Sequence, residues 1–311
     1  MTRVTASART RHQQSPSCVA LTLYLGNLAP SGRRSMRSLL QQVALLNKWP
    51  GTLEQMPWLT LRYEQVACIR AALRQTNKSP NTINTTLAAI RGVLKSGFLS
   101  GHFPALDWQR IQSIGRIPGK ILPAGRQLRA IEVTRLFKAC QSDPQRGIRD
   151  VAILAVLAYA GLRRSELSSL NRDDYCRRNG QLIVREGKGQ RQRELMLPTA
   201  ARAYIRQWLQ YRGSSPGPMF CHISKDGEYH LTQRLSALRI YGIVKRRARE
   251  AGIEPCSPHD LRRTFVTRLL EQGVDFNTAR QLAGHEHIQT TALYDRRHIK
   301  TQRQAMANFC F

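Results

Sequence analysis

Four short segments in the C-terminal half carry side chains whose types and spacing suit the breaking and remaking of a phosphodiester. They are Ala160-Gly-Leu-Arg163-Arg-Ser-Glu166-Leu, the turn Gly187-Lys188-Gly189, His259-Asp-Leu-Arg262, and Gly284-His285 with Tyr294 nine residues after the histidine. Each has an ordinary reading by itself: a solvated helix-start arginine, an exposed turn lysine, a capping histidine, a core tyrosine. Together they supply every part of one reaction. Cleavage puts extra negative charge on the transition state, and two permanently charged, fork-shaped guanidiniums suit the two non-bridging oxygens. A phenol can attack in line and leave a phosphotyrosine. A lysine on a turn can protonate the departing 5′ oxygen, and neutral imidazoles can hold the phosphate and orient the phenol.

The elements that must position these groups are legible nearby. Ser257-Pro258-His259-Asp260 reads as a helix start, with serine at the N-cap, proline at the first position and an acid at the third. His259 then lies in the first turn and Arg262 one turn on, on the same face, at the positive end of the helix dipole. Gly284 reads as the residue ending the preceding helix, which presents His285 at a turn. In the pairs Arg163-Arg164 and Arg262-Arg263, a rotation of about 100° per residue predicts that Arg164 and Arg263 face away from the first-named partner. His287 is read as exposed.

Around this half, the 311-residue chain suits two domains. Lys+Arg number 49 against 20 Asp+Glu, a net charge of +29, and a chain this basic implies a polyanionic partner. Residues 1–123 hold 16 basic and 3 acidic residues, and 124–311 hold 33 and 17, so both halves share the excess. Seven scattered cysteines without a Cys-x-x-Cys pair argue against a disulfide framework or structural zinc. No apolar run is long enough for a membrane span, and the Cys18–Leu25 stretch lacks a signal-peptide cleavage site, so a cytoplasmic protein is expected.

Residues 1–32 read as a basic, mobile or strap-like arm. Helical patterns follow from Ser35, at about 61–75, after Ser79-Pro80, and at about 106–114, giving a small helical domain over 33–115. Two prolines and three glycines between Gly115 and Gly125 mark a linker over 116–127. The second domain, 128–298, shows helices at about 131–141, 147–160, 164–170, 199–211, 232–250, 258–272, 275–283 and 288–296. The β signal is a hairpin around Lys188, and 299–311 form a tail. The fold expected is mainly α, two domains, the second with a small antiparallel sheet.

The ordered set Arg163, Lys188, His259-x-x-Arg262, Gly284-His285 and Tyr294, with the flanking Gly-Leu-Arg-x-Ser-Glu-Leu, resembles the tyrosine recombinase/integrase family over about 128–298. The N-terminal helical domain is similar to that family's core-binding domain more loosely. The resemblance implies a DNA clamp that cuts and rejoins DNA. Arg163 and Arg262 would hold the scissile phosphate, Tyr294 attack it, and Lys188 serve as general acid. His285 would bond the phosphate, His259 assist proton handling, and Glu166 position and buffer the site. It implies no metal or other cofactor. The partners implied are a double-stranded core site with inverted repeats, further copies of the chain in a homo-tetramer with a dimer on each site, and an accessory directionality factor. DNA-contacting residues are expected on the helix at 232–250, including Arg239, Lys245 and Arg246, and on the third helix of the first domain, at Arg91 and Lys95. The tail, with Met306, Phe309 and Phe311, is expected to dock on a neighbouring protomer. The layout resembles the simple two-domain Xer type, and the long basic arm favours a mobile-element integrase over replicon resolution. A type IB topoisomerase and a non-catalytic DNA-binding regulator stand as alternatives.

Overall fold

The structure is a computed structural model that describes residues 15–119, 125–144, 146–185, 192–224, 226–294 and 307. The chain divides into two compact units, 1–122 and 123–311. Among the described residues no helix is long and apolar enough to cross a membrane.

The first unit contains α1 (Pro16–Gly26), α2 (Pro30–Leu46), α3 (Tyr63–Arg74), α4 (Pro80–Leu99) and α5 (Ala105–Gln112). Helix α4 is its axis. It starts as expected, with Ser79 Oγ accepting the Thr82 N–H at 3.2 Å and Pro80 in the first turn. Its Ile83, Leu87, Ile90 and Leu94 are buried in one core. Within the arm expected over 1–32, the described part from Pro16 to Gly26 is instead α1, whose Ala20, Leu21 and Leu25 join that core. Tyr24 of α1 lies where a side chain at Gly92 of α4 would be. The stretch has no polar–apolar period, so sequence pattern alone does not reveal it as a helix; the cap at Ser15 and the packing on α4 decide.

The second unit is built around α7 (Gly147–Ala160), in which Ile153, Leu154, Val156 and Leu157 are fully buried. Each contributes about 1.5–3 kcal/mol relative to exposure. Against it pack α8 (Arg164–Ser169), α9 (Thr199–Arg212), α10 (Ala237–Glu250) and α11 (Pro258–Glu271), and α6 (Ala130–Lys138), α12 (Phe276–Ala283) and α13 (Ile288–Ala292) are the unit's further helices. Strands β1 (Gln181–Val184) and β2 (Arg193–Met196) form the expected antiparallel hairpin, their last pair being Val184 with Arg193. A second antiparallel pair, β3 (Cys221–Ile223) with β4 (Tyr229–Arg234), was not expected. It displaces the start of the helix predicted at 232: Arg234 is on a strand, and α10 begins after Ser236, whose Oγ accepts the Arg239 N–H at 3.2 Å. Three-residue β3 is too short to leave a readable alternation.

Candidate active site

Three helix termini converge. Helix α7 ends at Gly161, left-handed at φ +59°, with the Phe265 ring filling the space a Cβ would take. The chain turns through buried Leu162 and enters α8 with Arg163 as N-cap and Glu166 at the third position. The Arg163 N–H donates to Glu166 Oε2 at 2.8 Å, and its guanidinium Nη1 donates to Oε1 at 2.6 Å. Its Nη2 donates to the Gly284 carbonyl at 2.6 Å. The carboxylate that caps the helix thus also orients the arginine.

Helix α11 begins in the same manner. The Ser257 N–H and Oγ donate to Asp260 Oδ2 at 2.8 and 2.7 Å, while Oδ1 accepts the Arg126 N–H at 2.8 Å. Arg262, one turn in, is only 3 % exposed. Its Nη1 donates to the Gly161 carbonyl at 2.8 Å, whereas Nη2 is buried without a hydrogen-bond partner among the described residues. Burial, with the Arg163 charge next in weight, draws its pKa down to about 10, so it stays charged at neutral pH.

Helix α12 ends at Gly284, left-handed at φ +66°, as its sequence position predicts. His285 follows, buried, its Nδ1 2.9 Å from the Thr291 hydroxyl. Burial and then the charges of Arg262, Arg163 and Arg193 draw its pKa down to about 3, so the ring is neutral. Its ring stacks on Tyr294 with centroids 5.6 Å apart. Tyr294, itself buried, has its Oη 3.4 Å from Nε2 of His259, which sits on the rim of the site. Desolvation and then Arg262 hold the His259 pKa below the ordinary histidine value. A cleft of about 380 Å³ opens here, lined by Arg163, Arg164, Tyr241, His259 and Arg262 among others.

The structure therefore brings together Arg163, Glu166, His259, Arg262, His285 and Tyr294. Lys188 lies outside the described residues, between strands whose last pair adjoins the cluster. One expectation is corrected and one is incomplete. Arg164 does not turn away: it lines the cleft, its guanidinium 5.8 Å from the Tyr241 ring centroid. Arg263 is rotated off the Arg262 direction as expected, but the direction it takes is where the nucleophile lies. It is buried, donates to the Gly125 carbonyl at 2.6 Å, and places its Cζ 5.4 Å from the Tyr294 ring centroid. Arg193 is an addition. It forks onto Glu166 at 3.2 and 2.8 Å. No local pattern marks it, because a strand arginine acquires meaning only from what its strand is packed beside.

A model of the phage integrase family matches residues 126–301. The chain belongs to that family. The tyrosine recombinase XerC of Alcanivorax borkumensis is 34% identical over 253 residues, covering 78% of this chain and 77% of the relative. The tyrosine recombinase XerA of Thermococcus kodakarensis is 32% identical, covering 76% and 77%. Among solved structures, a lambda integrase dimer bound to a COC' core site shares the fold with a TM-score of 0.66 at 15% identity, covering 90% of this chain and 95% of that one. A lambda integrase tetramer bound to a Holliday junction gives 0.64 at 16%, covering 90% and 77%.

Within this family member the expected DNA contacts divide. Lys95 and Arg239 are exposed. Lys245 is half-buried, with its ammonium 5.6 Å from the Tyr241 ring centroid. Arg246 is committed to the protein's own carboxylates: its Nη2 donates to Asp150 Oδ2 at 2.6 Å, and Asp143 and Glu250 are within ion-pair range. Arg91 is half-buried with its guanidinium on the Ile114 carbonyl, and sits on the fourth helix of its unit, not the third. These two depart from the expectation because nearby acceptors inside the fold capture them.

Proposed function

We propose that Tyr294 is the nucleophile of a strand exchange in which Arg163 and Arg262 hold the scissile phosphate. The activity is site-specific DNA recombination of the tyrosine type. The role assignment rests on one observation: the buried Arg262 guanidinium, whose Nη2 has no hydrogen-bond partner among the described residues, beside a cleft that Arg163 and His259 also line. A buried donor left unsatisfied is costly, and a phosphate oxygen is the acceptor that suits it.

In the reaction, Tyr294 Oη attacks phosphorus and its proton passes to His259 Nε2. Neutral His259 is the acceptor state, and the 3.4 Å spacing is of the kind that shortens when substrate binds. With the Thr291 hydroxyl donating to His285 Nδ1, Nε2–H is left to donate to a non-bridging oxygen. The 5′ oxygen leaves with a proton, for which Lys188 is the proposed donor by its family register. The 3′-phosphotyrosyl bond keeps the bond energy until a partner 5′ hydroxyl attacks, releasing Tyr294 and joining the strands. The substrate proposed is a double-stranded core site with inverted repeats, acted on by a homo-tetramer through a Holliday junction; the lambda integrase assemblies support this arrangement by their fold. An accessory directionality factor belongs to the mobile-element version of this reading. That version draws on the length of the arm, of which Pro16–Gly26 is α1.

The test is a duplex recovered from randomised DNA by binding selection and nicked in its spacer as a suicide substrate. Wild type gives a covalent band on a denaturing gel. Tyr294→Phe binds the same duplex and gives none; a band persisting in Tyr294→Phe overturns the assignment.

A further inference from the structure

We infer that Arg193 is a positioning residue for the Arg163 limb of the phosphate clamp, acting through Glu166. This rests on the reading of Arg163 as a phosphate ligand.

Glu166 is a buried carboxylate with donors crowded around both oxygens. Oε1 accepts from Arg163 Nη1 at 2.6 Å and Arg193 Nη1 at 3.2 Å. Oε2 accepts from the Arg163 N–H and Arg193 Nη2, both at 2.8 Å, and lies 3.9 Å from Arg262 Nη1. Two of the three guanidiniums belong to the clamp. Without Arg193, a buried negative charge would have only clamp arginines to neutralise it and would compete with the DNA phosphate for them. With the Arg193 fork in place, that charge is met inside the protein, by planar bidentate geometry that a lysine cannot reproduce.

Arg193 also holds the other anchor of Arg163. Its Nε donates to the Leu282 carbonyl in the last turn of α12 at 3.2 Å. A Cβ on Gly284 would fall 2.6 Å from Arg193 Nη1, so this guanidinium lies against the glycine whose carbonyl takes Arg163 Nη2. Arg193 itself is fixed at the end of the β1–β2 ladder, paired with Val184, and its side chain is 12% exposed. One side chain therefore braces both partners of Arg163 and ties β2 to the turn that presents His285. Burial pushes the Glu166 carboxyl upward, and the hydrogen bonds and charge of Arg193, followed by those of Arg163, outweigh it and hold the group ionised below the ordinary range. The groups facing it are Arg163 on its own helix, Arg193 from β2 and Arg262 from α11, with neutral His285 packed against the same arginines.

The experiment compares Arg193→Gln, Arg193→Lys, Glu166→Gln and the double variant, using single-turnover adduct formation on the same suicide duplex at saturating DNA. Binding and thermal melting are measured in parallel. Arg193→Gln is expected to bind DNA as wild type does and to cleave roughly a hundredfold more slowly, the scale of a small misplacement of a catalytic group. Measured in a His259→Asn background, which removes the histidine limb, the acid limb set by Glu166 should move to higher pH, because Glu166 loses a partner that favours the ionised form. Arg193→Lys should recover part of the rate. The double variant should cleave no more slowly than Arg193→Gln, since the neutral amide introduced by Glu166→Gln no longer competes for Arg163. Wild-type cleavage by Arg193→Gln overturns the inference, as do losses that multiply in the double variant or a Glu166 limb that stays in place in the His259→Asn background. Should Arg193→Gln melt out, the Arg193→Lys and double-variant rates decide by the same criteria. A wild type that forms no adduct overturns the function itself, an outcome distinct from an active wild type matched by its Arg193 variants.

Discussion

The starts of α8 and α11 use one local device in two environments. Each opens with a carboxylate at the third helical position that caps the first turn, Glu166 in one and Asp260 in the other. Each carries an Arg-Arg pair whose first member faces the cleft. The clamp arginines nevertheless differ. Arg163 is 41% exposed at its side chain and surrounded by acceptors, whereas Arg262 is buried with a donor left over among the described residues. One is oriented by a carboxylate and remains close to water. The other is made potent by desolvation, which strengthens any interaction it makes with an arriving anion. A phosphate clamp can thus be assembled from an arginine that is held by a carboxylate and a buried arginine that keeps one donor over among the described residues.

Substitutions that treat the two alike test this contrast. Arg262→Ala should cause the largest loss, about 10³-fold in adduct formation, comparable to removing a transition-state donor from a dry site. Folding should suffer little, because a buried charge is removed along with its attraction; equal melting with lost cleavage is the signature to seek. Arg163→Ala should lose about 10²-fold, since the Glu166 charge it leaves behind is still met by Arg193. Equal losses at both positions would erase the proposed difference. The second arginines divide as well. Arg263→Gln should slow adduct formation more than Arg164→Ala does, because only Arg263 lies on the Tyr294 ring, and a reversal in side-by-side rates would place the nucleophile's support elsewhere.

The pH profile sharpens the picture on the acid side. Protonating His259 removes the acceptor for the phenol proton, so cleavage should fall as pH drops through its pKa. Desolvation and Arg262 place that fall below the ordinary histidine value of about 6.5. His285, neutral down to about 3, adds no limb in this range. A single-turnover profile in wild type and His259→Asn distinguishes them: the histidine limb should vanish in the variant. The smallest effect expected is on stability. Asp260→Ala removes the α11 cap and should lower unfolding free energy by about 1–2 kcal/mol in a denaturant titration.

What was legible in the sequence follows the range of the forces involved. Gly284, Ser79 and the Ser257–Asp260 start are local devices, and each could be read from neighbouring residues. The cluster Arg163, Glu166, His259, Arg262, His285 and Tyr294 was readable because its order and spacing match a family. Arg193 and the Tyr241 contact of Arg164 were not, because contacts between residues tens of positions apart leave no local period. Helical rotation correctly turned Arg263 away from Arg262 and still misjudged it, since angle alone does not say what occupies the other face. Helix α1 was missed because an apolar stretch without amphipathic period resembles no single element. The placement of Lys188 and of the tail with Met306, Phe309 and Phe311 lies outside the described residues.

The cluster around Asp150 bears on how this surface can diversify. Asp150 is fully buried and takes Arg149, Arg246 and Arg247 at 2.8, 2.6 and 2.7 Å, bolting α10 to α7. Losing one partner of such a buried set costs about 3–5 kcal/mol, so Arg247 is locked into the scaffold despite lying in the most basic stretch of the helix. Leu238, Arg239, Gly242 and Arg249 are exposed and carry no such obligation. If α10 faces the major groove, drift in target preference is channelled through those positions, and lineages that change their DNA site would vary there while the Asp150 set stays constant.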